Sequence, residues 1–136
     1  MDLTKNYPRS PYEIMAGIVM LPRTIDKAKA HNANKLGEYH YNCPLDIAVF
    51  EFLNVSAEEF ARKVKDLDTD ERIEKWINAI TKDKRKAEKQ QFNNWMRHDA
   101  PNAPKDIKWM ESEKKKLGRN DYFSYFDNLD ADEKRF

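Results

Sequence analysis

At 136 residues, the chain has room for one ordinary domain, burying roughly two-thirds of the surface its unfolded form exposes. Its 25 basic and 24 acidic residues leave a net charge of +1, so charge gives no case for nucleic acid or an anionic membrane as partner. A single cysteine excludes an internal disulfide, and the longest apolar run, "IMAGIVML", is far short of the roughly 20 residues of a membrane span.

Charged residues make up 36% of the chain and the mean hydropathy is -0.97, values that lean towards disorder. Three Trp, six Tyr and seven Phe, spread along the chain, argue the other way, because each can bury a large area. A folded domain over residues 1–136 with a thin aromatic core is expected. The opening "MDLTKNYPRS" has no apolar signal-peptide core, and with the lone cysteine this predicts a cytoplasmic protein.

The periodicity predicts helices almost throughout. "SPYE" predicts a first helix with Ser10 as N-cap, Pro11 at its first position and Glu13 completing a capping box, followed by Ile14, Ile18 and Leu21 on one face. Pro22 interrupts this run and predicts a kink or a second helix, carrying Ile25, Ala28, Asn32 and Leu36 on one face and stopped by Gly37. Pro44 predicts the start of a central helix, "PLDIAVFEFLN", apolar nearly all round. "SAEE" opens a helix with Phe60 and Val64, and "DTDE" one with Ile73, Trp76, Ile77 and Ile80. "TKDKRKAEKQQFNNWMRH" predicts an amphipathic helix with Phe92, Trp95 and Met96 inward. After "APNAP" come a helix with Ile107, Trp109, Met110 and Leu117 ending at Gly118, and a short closing helix with Tyr122, Phe123, Phe126 and Leu129. With no sustained heptad, this predicts an all-α fold, a single compact irregular bundle of seven or eight short helices.

The stretch "LGEYHYNCPLD" concentrates the chemistry. Cys43 precedes a proline and should be extended. If residues 38–43 are extended throughout, Tyr39, Tyr41 and Cys43 point to one side and Glu38, His40 and Asn42 to the other, the first set to the core and the second to a cleft, a partner or water. Three uses are open to them. Cys43 at a helix N-terminus with His40 near in sequence could form a nucleophilic pair, though alternation separates them. Glu38, His40 and Asp46 could ligate a metal, but three histidines with no ligand spacing argue for no metal and no cofactor. Glu38, His40 and Asn42 could bind a small polar ligand. The plain alternative is a hydrogen-bonded joint between two helices.

"DLTKNYPRSP", "LPRTIDKAKA" and "LGEYHYNCPLD", in this order, resemble a family of small, cytosolic bacterial proteins known only as a domain of unknown function, and "GRNDYFSYFDNLDADE" resembles its C-terminal end. Residues 55–115 carry none of its motifs, and Lys29 stands where that family's second motif would have arginine. The resemblance implies a compact, mostly helical domain and no particular reaction. It directs attention to Arg9, to Arg23, Asp26 and Lys27, and to Glu38, His40, Tyr41, Asn42, Cys43 and Asp46. Arg23, Asp26 and Lys27 share one side of a helix. They form either an ordinary ion pair or, with Arg9, a cationic wall facing the joint and able to hold a carboxylate or phosphate. The basic runs "KDKRKAEK" and "KKK" read as solvated helix faces rather than nucleic-acid contacts.

Three functions of different classes stay open. The favoured one is a non-catalytic domain that binds a small anionic or polar ligand, or a protein partner. The second is an enzyme using Cys43 or His40, and the third a self-associating module, such as a homodimer.

Overall fold

A computed structural model describes residues 1–136. Seven α-helices and one two-stranded ribbon make up its regular structure, so the fold is all-α apart from that ribbon. No helix is long and apolar enough to cross a membrane. The chain divides into two compact units, residues 1–92 and 93–136.

In the first unit, the helix predicted from "SPYE" does not form. Its capping residues are engaged as anticipated: Glu13 accepts a hydrogen bond from the Ser10 amide at 3.2 Å, and the Ser10 hydroxyl accepts one from the Tyr12 amide at 3.2 Å. They cap one turn only. Ile14–Met15 (β1) then pairs antiparallel with Ile18–Val19 (β2) across a turn made by Ala16 and Gly17, both at positive φ (54° and 76°). That geometry is the two-residue turn whose twist matches paired strands. β-branched Ile14, Ile18 and Val19 suit strands, and a short apolar run cannot be assigned by periodicity alone. The turn is clasped from far along the chain. Glu74 accepts from the Ala16 amide at 3.0 Å, and the Lys89 ammonium donates to the Ala16 carbonyl at 2.8 Å.

Helix α1 (Leu21–Asn32) starts with Pro22 in its first turn, as its missing N–H allows. It stops five residues before Gly37, because Asn34 takes a left-handed conformation (φ 55°) and the Lys35 amide closes back on the Ala30 carbonyl at 2.8 Å. Gly37 has another task. Its φ is 61°, and a Cβ there would lie 3.1 Å from the Leu3 carbonyl, so only glycine lets the N-terminal loop pass this close. Helices α2 (Pro44–Leu53), α3 (Ala57–Leu67) and α4 (Asp70–Ile80) begin where Pro44, "SAEE" and "DTDE" predicted, the last two capped by the Ser56 and Thr69 hydroxyls. Phe60 joins all three, with ring centroids 5.2 Å from Phe50 and 6.0 Å from Trp76. It is fully buried, worth about 1.5–3 kcal/mol of transfer free energy. α1 packs on α3, where the Asn32 amide donates to the Ala61 carbonyl at 2.9 Å.

Helix α5 (Lys86–His98) runs from the first unit into the second. The second unit continues with α6 (Pro104–Leu117), ended by Gly118 at φ 68°, and α7 (Tyr125–Asp132), capped by Ser124. Met110, Tyr122 and Ala131 form a small core, with Leu117 and Tyr125 packed against it. Several aromatics expected inside are outside: Trp95 is 54% exposed, Trp109 48% and Phe123 73%. On α5, Met96 is buried as expected, and Asn93 takes the inner position expected of Trp95.

Candidate ligand-binding site

Arg9, Arg23, Asp26, Lys27, Cys43 and Asp46, drawn from the three sequence motifs, meet in the first unit and pair with one another, while Glu38 and His40 stay exposed. Arg9 comes from the N-terminal loop. Its backbone amide and Nε donate to Asp26 Oδ2 at 2.9 and 3.1 Å, and its Nη2 donates to Asp26 Oδ1 at 3.0 Å. The other side of the same guanidinium reaches Asp70 at the start of α4, with Nη1 to Oδ2 at 2.7 Å. This hydrogen bond holds the Asp70 carboxyl below the usual carboxylate range. Arg23, one turn before Asp26, is buried, donates to the Arg9 carbonyl at 3.2 Å and lies 5.7 Å from the Tyr39 ring centre.

One turn further along α1, Lys27 turns towards the start of α2. Its ammonium donates to Asp46 Oδ2 at 2.7 Å and lies 3.2 Å from Cys43 Sγ. Asp46 is wholly buried (0% exposed) and accepts from every side. The Asn42 and Cys43 amides reach Oδ2 at 3.0 and 3.3 Å, and the Thr24 hydroxyl reaches Oδ1 at 3.1 Å. A carboxylate three residues into a helix, accepting from the amide before its proline, completes the cap that Cys43 cannot supply by itself.

The joint itself is not straight. Tyr39 closes a turn onto the Leu36 carbonyl at 3.0 Å, and Asn42 stands at φ 72°. The alternation of burial survives these bends. Tyr39, Tyr41 and Cys43 are half-buried, while Glu38, His40 and Asn42 are exposed. Tyr41 stacks on His31 (4.8 Å between ring centres), leans on Phe50 (5.7 Å) and donates its hydroxyl to the Ala57 carbonyl at 2.6 Å. Burial raises the Tyr41 phenol above its ordinary range.

The expected cationic wall is therefore turned inward. Arg9 and Lys27 each face a carboxylate, and Arg23 is enclosed. His40 is exposed, whereas Cys43 is half-buried with its sulfur 3.2 Å from the Lys27 ammonium. No three of the His, Cys, Asp and Glu side chains converge into a metal-holding set. Thr24, His31 and Asp70 belong to the network without having been singled out, and Tyr39, read only as core-facing, joins it through Arg23. Thr24 could have been found, because it lies three residues before Lys27 on the same face of α1.

Outside this network, one groove opens beside the joint. It has a volume of about 390 Å³ and is bounded by Asn42, α2 and the start of α3. Ile47, Phe50, Val55 and Ala57 supply apolar surface, while Asn42, Glu51, Ser56 and Glu58 supply polar groups. Of the residues singled out from sequence, Asn42 alone lines it.

The family model described as "Domain of unknown function (DUF5069)" matches residues 5–135, and the chain belongs to that family. No curated protein matches the chain.

Proposed function

We propose that this member of the family is a non-catalytic binding domain that takes a small amine-bearing ligand in the groove beside Asn42. One observation carries the reading. The groove pairs an apolar wall with two carboxylates, Glu51 and Glu58, and has no basic residue in its lining. Its volume falls at the lower end of the roughly 300–1,000 Å³ typical of small-molecule sites. The anion-binding alternative lacks a comparable feature, because Arg9 and Lys27 already hold Asp26, Asp70 and Asp46. A bound cation would complement the rim, and an apolar stem would cover Ile47 and Phe50. The lone, half-exposed Cys43 supports a reducing, cytosolic setting, and the sequence resemblance supports a bacterial one.

The test is a thermal-shift screen with diamines, amino-acid amides and short basic peptides beside a matched set of carboxylates and phosphates. A ligand at a hundred times its Kd stabilises by about 2.7 kcal/mol, which such a screen detects. The expected result is a shift with amines that disappears in Glu51→Gln/Glu58→Gln. Shifts from anions alone, or amine shifts that survive the double substitution, overturn the reading.

A second reading rests on a different surface. Trp95, Ile107, Trp109 and Phe123 are exposed in the second unit, and aromatics of this type anchor protein interfaces. Here the ligand would be a protein partner or a second copy. Light scattering distinguishes self-association, which Phe123→Ser with Trp109→Ser should then abolish.

A further inference from the structure

The contact between Lys27 and Cys43 joins two reactive groups that the groove does not use. Cys43 is partly exposed, which gives a small oxidant an approach to it from solvent. The amine lies behind it, 3.2 Å away and nearly enclosed. A third group completes the set: Asp46 Oδ2 sits 2.7 Å from the same nitrogen and is placed to take a proton from it. α1 holds the nitrogen, and the cap of α2 holds the sulfur and the carboxylate, so neither partner has to be recruited.

We propose that Lys27 and Cys43 are a modification site, at which peroxide links α1 covalently to the start of α2 through a nitrogen–sulfur bond. The sulfur of Cys43 first attacks hydrogen peroxide. The O–O bond breaks, the thiol becomes a sulfenic acid and one water leaves. The Lys27 ammonium passes a proton to Asp46, and the freed amine attacks the sulfenyl sulfur. The S–O bond breaks, and the departing hydroxide takes a second proton from nitrogen and leaves as water. One peroxide is reduced to two waters, and the thiol–amine pair loses two hydrogens. A buried ammonium–carboxylate pair becomes a neutral sulfenamide beside a carboxylic acid. The bond also ties Cys43, next to the groove residue Asn42, to α1, so oxidation would fix one side of the groove.

The experiment uses the intact wild-type protein. It is treated with hydrogen peroxide, unfolded, alkylated without reductant, digested and mapped by mass spectrometry. The expected product is the Lys27 peptide joined to the Cys43 peptide with two hydrogens missing, released by dithiothreitol. The same treatment in concentrated urea, where the two side chains are no longer held together, should yield oxidised but unlinked Cys43. Unlinked sulfinic acid in the folded protein, a thiol untouched by peroxide, or a linked pair formed equally well in urea would each overturn the proposal. Because the folded wild-type chain is the sample, the result does not depend on whether a Lys27 variant folds.

Discussion

Replacing Asp46 by asparagine should destabilise this protein more than any change among the exposed charges. The substitution keeps size and most acceptors but removes the charge opposite Lys27, whose ammonium is almost fully enclosed. Breaking one side of a buried ion pair costs about 3–5 kcal/mol, because the remaining charge stays desolvated. A native chain has about 5–15 kcal/mol in total, so the loss is a large part of the margin. For a chain of this length, roughly 4 °C in Tm accompanies each kcal/mol, giving an expected fall of roughly 12–20 °C. Urea unfolding followed by circular dichroism gives the free energy directly. Lys27→Met/Asp46→Asn should recover much of the loss, since it removes the unpaired charge while asparagine keeps an acceptor for the Asn42 and Cys43 amides and the Thr24 hydroxyl. A loss below about 1 kcal/mol for Asp46→Asn, the level of an exposed pair, would refute the burial argument.

Two pH dependences arise from the same network. Asp70 is held below its ordinary 3.8 by Arg9, so its contribution is complete above that value and disappears as the pH falls through the lowered one. Asp70→Asn should flatten the acid limb of the stability curve, and an acid midpoint identical to wild type would contradict this. Tyr41 has its phenol raised above 10.0 by burial, so its contribution is complete below pH 10 and weakens as the pH climbs beyond it. Tyr41→Phe should lose about 1 kcal/mol near neutrality, with the hydrogen bond to Ala57, and show a flatter alkaline limb, which ultraviolet tyrosinate titration against unfolding will check.

Features that depend on a few neighbouring residues were legible in the sequence. The helix starts at "SAEE" and "DTDE", Pro44 at a helix start and Gly118 at a helix end all act locally, and the structure has them where the residues say. "SPYE" misled because a capping box can close a single turn, and strand pairing between Ile14 and Val19 decided the conformation of the next residues. Trp95 and Phe123 misled because helical spacing shows which residues share a face, not whether anything covers it. In the joint, alternating burial was readable even though its bends were not. What no local rule could give is who pairs with whom. Arg9 meets Asp70 across 61 positions, and Lys27 meets Asp46 across 19. Without those pairings, paired cations look like open ones.

The clasp on the Ala16–Gly17 turn bears on the order in which the chain assembles. Both backbone groups of Ala16 find their partners on side chains 58 and 73 residues away, one on α4 and one on α5. A two-stranded ribbon this short is barely stable in water by itself. It can gain its full set of bonds only once most of the first unit has already folded around it, at the entropic cost of closing long loops. The earliest regular structure along the sequence is thus among the last to become secure in time.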